Sequence, residues 1–201
     1  MHLDRFYPIV PDIIWLKRLA PLGIKLVQLR IKDVTPQAAS TQISEAVGIA
    51  RTYDFQLIIN DYWREAIDAG ADFVHLGQED LAAADLKAIN KAGLSLGIST
   101  HTEDELETAL SADPDYVALG PIYETKLKAM PWAPQGLDRI GLWKRRIGKL
   151  PLVAIGGITP DRAQAVLEAG ANSVAVITDI LGADDPDVRV KNWIKWAAAN
   201  A

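Results

Sequence analysis

The segment Leu152-Val153-Ala154-Ile155-Gly156-Gly157-Ile158 decides the fold class, together with the later segment Ser173-Val174-Ala175-Val176-Ile177-Thr178. Both are short apolar runs rich in β-branched residues, which is typical of strands buried on both faces of a parallel sheet. Between them, Thr159-Pro160-Asp161 and a terminal glycine, Gly170, mark the start and end of an amphipathic helix. The region therefore predicts a strand–helix–strand unit.

Similar apolar runs recur along the whole chain, and a segment of helical period follows each of them. The predicted strands are Phe6–Val10, Lys25–Ile31, Gln56–Asn60, Phe73–Gly77, Ser95–Ser99, Tyr116–Ile122, Leu152–Ile158 and Ser173–Thr178. The predicted helices are Ile13–Ala20, Pro36–Tyr53, Tyr62–Ala69, Ala82–Ala92, Glu103–Leu110, Leu137–Ile147, Pro160–Ala169 and Asp185–Ala199. Strict alternation implies parallel crossovers. We predict an α/β fold, a single (β/α)8 TIM barrel over residues 1–201.

Composition narrows the function classes. The chain has no cysteine, 49 % hydrophobic residues and a net charge of −5. Thiol chemistry is excluded, and we expect neither a nucleic-acid partner nor a membrane partner, because there is no basic excess and no long apolar run. We expect a cytoplasmic protein. A homodimer is possible, since four tryptophans on predicted helices suit either a core or an interface: Trp15, Trp143, Trp193 and Trp196.

The carboxyl ends of the strands carry the candidate site, because active sites of this fold lie there. Alternation along strand 2 places Gln28, Arg30 and Lys32 on one side, facing the barrel mouth. Inward charges are costly unless a ligand or an ion pair neutralises them. A bound anion and a structural salt bridge both remain open.

Two carboxylates follow neighbouring strands. Asp61 comes after Asn60 at the end of strand 3, and Asp80 follows strand 4. Such a pair can hold Mg²⁺ and leave the remaining coordination sites for water and phosphate oxygens. The alternative is that each caps a helix, Asp61 the helix from Tyr62 and Asp80 the helix over Leu81–Lys87.

Strands 5 and 6 add further candidates. Ser99 ends strand 5 and can donate to a ligand, whereas we interpret His75 as a hydrogen-bonded core residue. Lys126 and Lys128 lie in the irregular segment Glu124–Gln135, a candidate lid, where they either close over a diphosphate or remain solvated.

These residues divide into two poles. The first joins two carboxylates with three cations (Arg30, Lys32 and Lys128) and suits a Mg²⁺–diphosphate. The second, the backbone of Gly156-Gly157 and Ile177-Thr178, suits a monophosphate. Two phosphorylated substrates, one of which loses diphosphate, are indicated, with catalysis by positioning and charge stabilisation.

Seven motifs in order resemble the thiamine phosphate synthase family over nearly the whole chain. They are Gln28-Leu29-Arg30-Ile31-Lys32, Ile59-Asn60-Asp61, His75-Leu76-Gly77-Gln78-Glu79-Asp80, Gly97-Ile98-Ser99, Gly120-Pro121-Ile122-Tyr123, Ala154-Ile155-Gly156-Gly157-Ile158 and Val176-Ile177-Thr178. The resemblance implies that hydroxymethylpyrimidine diphosphate loses diphosphate with the help of Mg²⁺. The nitrogen of hydroxyethylthiazole phosphate then attacks the benzylic-like cation, giving thiamine phosphate.

The resemblance also implies roles for individual residues. Asp61 and Asp80 would bind Mg²⁺. The pyrimidine diphosphate would be bound by Gln28, Arg30, Lys32, Asn60, Ser99 and Lys128, of which Arg30, Lys32, Ser99 and Lys128 would be catalytic. The thiazole phosphate would be held by Thr125, Gly157, Ile177 and Thr178. Leu29, Ile31, Lys126 and Leu127 complete the substrate-binding segments.

Three positions depart from the family pattern. Leu127 stands where a second threonine is usual, Tyr62 follows the first aspartate, and Thr178 replaces a usual serine. The alternatives are a related thiazole tautomerase, which generally has a histidine where this chain has Pro121, and a phosphate-binding sensor without catalysis.

Overall fold

Eight parallel strands close into a barrel in the computed structural model, which describes residues 2–125 and 133–201. Each strand pairs with its sequence neighbours, and β8 pairs with β1. The strands are β1 Phe6–Val10, β2 Leu26–Leu29, β3 Gln56–Asn60, β4 Phe73–Leu76, β5 Ser95–Thr100, β6 Tyr116–Leu119, β7 Leu152–Ile155 and β8 Ser173–Val176. The predicted fold class is confirmed.

Helices connect the strands and cover the barrel. Within the described ranges they are α1 Ile13–Leu19, α2 Pro36–Tyr53, α3 Trp63–Ala69, α4 Gln78–Ala83, α5 Leu86–Lys91, α6 Glu103–Ser111, α7 Gly136–Ile147, α8 Pro160–Glu168, α9 Thr178–Leu181 and α10 Pro186–Ala199. A 3-10 turn, Ala20–Leu22, follows α1.

One predicted helix is wrong in its extent. The segment Ala82–Ala92 is not a single helix, because Ala84 has an extended backbone and ends α4. The Asp85 side chain then accepts a hydrogen bond from the Ala88 N–H and begins α5. Helix α9 was not predicted, since its four residues are too few for a periodic pattern.

The buried apolar residues form two layers, one on each side of the barrel wall. The outer layer joins outward-facing strand residues such as Val27 and Val174 to the helices. Trp143 and Trp193 are buried in it, and Trp15 and Trp196 pack against it. The inner layer fills the barrel with Tyr7, Ile9, Leu26, Ile58, Tyr116, Ala118, Val153 and Ala175. None of the described helices is long and apolar enough to cross a membrane.

The inner layer depends on one glycine. Strand register places Asn60, His75, Gly97 and Tyr116 in one row across β3, β4, β5 and β6. A Cβ atom built at Gly97 would overlap the ring and the hydroxyl of Tyr116. The absence of a side chain at position 97 therefore lets the Tyr116 ring occupy the interior.

We expect Gly97→Ala to lower the free energy of unfolding by about 1–3 kcal/mol, because overpacking a filled interior forces side chains from their positions. Gly48→Ala is the matched control. Gly48 lies within α2, and a Cβ atom added there would meet open space. Alanine at this position should therefore raise the free energy of unfolding by about 0.5–1 kcal/mol. Urea unfolding of both variants measures the difference. Equal stability of Gly97→Ala and the parent chain would contradict this packing account.

Candidate active site

A cavity of about 400 Å³ opens at the carboxyl ends of the strands. This is the end at which the sequence predicted the site. It is lined by many of the predicted residues, namely Gln28, Arg30, Asn60, Ser99, Thr125, Gly157, Ile177 and Thr178. The barrel thus brings together residues from six of its eight strands or the loops that follow them.

Three charged residues form a cluster beside this cavity. The Lys32 ammonium lies 2.5 Å from the Asp61 carboxylate, and the Asp61 side chain is 15 % exposed. The carboxyl groups of Asp61 and Asp80 are within hydrogen-bond reach of each other. The salt bridge that the sequence left open is therefore present, and it links the ends of β2 and β3.

The helix-cap alternatives for both aspartates are wrong. Tyr62 is the N-cap of α3, and Asp61 has a left-handed backbone (φ 65°) with its side chain turned to Lys32. Asp80 lies inside α4, whose N-cap is Gly77. Neither carboxylate caps a helix, and the Asp61 side chain is instead paired with Lys32.

The Asp61–Asp80 pair concentrates negative charge beside Lys32. Burial raises the pKa of Asp80, and the neighbouring charge and hydrogen bond of Asp61 raise it further, while Lys32 opposes the shift. Two carboxylates this close repel each other unless a proton or a cation lies between them. In the described part of the chain, no three histidine, cysteine or acidic residues form a metal cluster. Two carboxylates can serve an ion such as Mg²⁺, which commonly takes one or two from the protein and its other ligands from water or phosphate.

The opposite side of the mouth is made of backbone. Gly156 and Gly157 have φ values of 102° and 64°, and a Cβ on either would overlap the loop after β6. Tyr123 donates its N–H to the Gly156 carbonyl at 3.0 Å. Thr178 begins α9, whose first N–H groups have no partner within the helix. The two glycines therefore let the loop after β6 pack closely against the end of β7.

A chain of polar side chains forms the floor of the cavity. Gln28 donates through Nε2 to the Tyr7 hydroxyl at 2.8 Å, and the hydroxyls of Tyr7 and Tyr116 are 2.9 Å apart. His75 Nδ1 lies 2.8 Å from the Tyr116 hydroxyl, and its Nε2 lies 2.8 Å from Ser99 Oγ. The interpretation of His75 as a hydrogen-bonded, buried residue is confirmed.

Burial fixes the charge state of this floor. It lowers the pKa of His75 to about 4; the negative charge of Asp61 opposes this shift, and the positive charge of Arg30 adds to it. Burial also raises the pKa of Tyr7 and of Tyr116. At neutral pH the imidazole and both phenols are therefore uncharged.

The sequence missed Tyr7 and Tyr116, both of which belong to this floor. Each is a single polar residue in an otherwise apolar run, so only its inward position in the alternation of β1 or β6 could have signalled it. The structure does not bring Leu29 and Ile31 to the cavity, because their side chains pack in the outer apolar layer. Lys126, Leu127 and Lys128, and most of the predicted lid, lie outside the described residues.

The closed barrel and its polar mouth place the chain among the (β/α)8 barrels whose ligand site lies at the carboxyl ends of the strands. The sequence profile of the family described as thiamine monophosphate synthase matches residues 7–180. The chain belongs to that family.

Similar proteins agree with this assignment. A thiamine-phosphate synthase of Rhizobium etli is 59 % identical over 194 residues, which is 96 % of this chain and 95 % of that protein. One of Citrobacter koseri is 48 % identical, covering 89 % of this chain and 85 % of that protein. A solved thiamine phosphate pyrophosphorylase of Pyrococcus furiosus superposes with a TM-score of 0.83 at 25 % identity, covering 97 % and 96 % of the two chains.

We expect Asp80→Asn to raise the melting temperature at pH 7 in the absence of divalent cations. The pKa of Asp80 in the folded state lies above its ordinary value of 3.8. The native state therefore loses stability as the pH rises from 3.8 through the folded-state pKa. The gain from asparagine should disappear below pH 3.8, where the carboxyl is protonated in both states. Calorimetry across pH measures it. Asp68→Asn, on the exposed side of α3, is the control, and an equal gain there would contradict the repulsion account.

Proposed function

We propose that the chain is a thiamine-phosphate synthase, a transferase that joins two phosphorylated substrates. The bond between the pyrimidine methylene carbon and the diphosphate oxygen breaks, and the thiazole nitrogen forms a new bond to that carbon. The products are thiamine phosphate and diphosphate. Family membership supports the reaction, and 59 % identity over nearly the full length of a relative with this name supports the substrates.

The observation that carries the proposal is the charged cluster beside the cavity. Arg30 and Asn60 line the cavity; Lys32 and Asp61 follow them in the chain and contact each other, and Asp80 is within hydrogen-bond reach of Asp61. An organic monophosphate needs no paired carboxylates, whereas a diphosphate leaving group is commonly bound through Mg²⁺ together with cationic side chains. This combination favours the synthase over the tautomerase and the sensor.

In this proposal the chain's own residues bind and orient the two substrates and neutralise the charge of the diphosphate. Arg30 and Lys32 attract the diphosphate and stabilise the negative charge that grows on it as it leaves. Asp61 and Asp80 would hold Mg²⁺, which supplies further neutralisation of the diphosphate when bound. Lys32 serves both groups, because it contacts Asp61 and so connects the carboxylates to the anion.

The thiazole phosphate is assigned to the backbone side of the mouth. Gly157, Ile177 and Thr178 line the cavity there, and N–H groups at a helix start suit a phosphate. Placing the phosphate at this side turns the thiazole ring toward the interior, where its nitrogen faces the other substrate. The attacking nitrogen has no proton to lose, so the mechanism needs no general base and depends on positioning.

The cytoplasmic location stays a prediction, and the homodimer stays an untested alternative to a monomer. The contribution of Lys128 to diphosphate binding also stays a prediction, since that residue lies outside the described residues.

We expect the purified chain to release diphosphate only when both substrates and Mg²⁺ are present, with equimolar thiamine phosphate. Asp61→Ala and Asp80→Ala should reduce release to background, because each removes an oxygen ligand of the cation. Asp68→Ala, an exposed aspartate on α3, should retain full activity. Release without Mg²⁺, or full activity of both site variants, would overturn the metal assignment; binding without turnover would favour the sensor.

Arg30→Ala should weaken the pyrimidine diphosphate roughly 10- to 100-fold, because a charge-assisted hydrogen bond is lost. Binding of the thiazole phosphate should change less than about twofold, which is within the effect of long-range charge alone. Calorimetric titration of each substrate into the variant measures both. Equal losses would show that the mouth does not separate the two phosphates.

A further inference from the structure

The polar floor of the cavity is one connected chain of hydrogen bonds across the barrel. It runs from Gln28 on β2 through Tyr7 on β1 to Tyr116 on β6, and then through His75 on β4 to Ser99 on β5. Gln28, Tyr7, His75 and Tyr116 are all at most 5 % exposed. Such a chain has a direction, because each hydroxyl has one hydrogen to donate and neutral imidazole has one.

Gln28 sets that direction at one end. Its Nε2 donates to the Tyr7 oxygen, so the Tyr7 hydrogen has the Tyr116 oxygen as its acceptor. The Tyr116 hydrogen must then be donated to His75 Nδ1, the next acceptor along the chain. The reverse direction would need the Gln28 amide to be turned over, so that its oxygen rather than its nitrogen faced the Tyr7 hydroxyl.

The direction is passed on to Ser99. Because Nδ1 accepts, the single hydrogen of the neutral imidazole is on Nε2 and is donated to the Ser99 oxygen. The hydrogen of the Ser99 hydroxyl then has no acceptor within this chain of hydrogen bonds. Ser99 lines the cavity, so this hydrogen is directed at whatever the cavity binds.

We propose that Tyr116 and His75 are positioning residues that hold the Ser99 hydroxyl as a hydrogen-bond donor to an acceptor atom of the pyrimidine diphosphate. The substrate rests on the proposed function, whereas the direction of the chain rests on the orientation of the Gln28 amide toward the Tyr7 hydroxyl. Gly97 supports the same hydrogen-bond chain, since the absence of a side chain there leaves room for the Tyr116 ring.

The first test is the tautomer of His75 in the protein without substrate, measured by ¹⁵N NMR at neutral pH. The chain has three histidines, and the signal that disappears in His75→Gln identifies the right one. We expect hydrogen on Nε2 and none on Nδ1. Hydrogen on Nδ1 alone would reverse the chain, and hydrogen on both nitrogens would mean that Tyr116 does not donate to His75; either result would overturn the proposal. This result does not depend on turnover, so it separates failure of the hydrogen-bond chain from failure of the proposed function.

The second test is a double-mutant cycle on the synthase reaction. Tyr116→Phe keeps the ring but removes the donor to His75, and we expect the KM for the pyrimidine diphosphate to rise about three- to tenfold, the effect of one hydrogen bond. The KM for the thiazole phosphate should not change. In a Ser99→Ala background, Tyr116→Phe should have almost no further effect, because its action passes through Ser99.

The control for loss of a tyrosine hydroxyl is Tyr53→Phe, at the exposed end of α2, which should match the parent chain. Multiplicative effects of Tyr116→Phe and Ser99→Ala would mean that the tyrosine acts on the fold rather than through Ser99, and would overturn the positioning role.

Discussion

The closed barrel can be filled only by its own side chains, and this constraint shapes the whole site. Away from the mouth the filling is apolar, with Leu26 and Ile58 as examples, whereas at the row of His75 and Tyr116 it becomes polar. Buried polar groups need hydrogen-bond partners, and in this row the side chains supply them to one another. The floor therefore has to be a connected set of groups, and that set determines what the cavity above it can bind.

Above this floor, charge is segregated around the mouth. On one side, the ends of β2 and β3 contribute the Lys32–Asp61 ion pair, and the first turn of α4 contributes the Asp80 carboxylate. On the other side, the loop after β7 and the start of α9 contribute backbone N–H groups. Separation of this kind suits a reaction of two anions, since each phosphate finds its own site. The reacting carbon and nitrogen are then brought together without the repulsion that shared binding would cause.

The strands and the charged residues at their ends could be predicted from the sequence, because both depend on local sequence pattern. Apolar runs gave the eight strands, and residues at the strand ends, such as Arg30 and Asp61, follow directly from position. Strand limits were less accurate: the predicted strand Leu152–Ile158 ends at Ile155, because Gly156 and Gly157 both adopt positive φ. The tyrosine pair could not be predicted, since Tyr7 and Tyr116 meet only when distant strands close the barrel.

The separation of the two phosphates is the central claim, and a crystal structure of this chain with thiamine phosphate, diphosphate and Mg²⁺ tests it most directly. We predict diphosphate and the cation beside Arg30, Lys32, Asp61 and Asp80, with the thiamine phosphoryl group on the backbone of Gly157 and Thr178. The reverse arrangement, or a cation away from both aspartates, would contradict it.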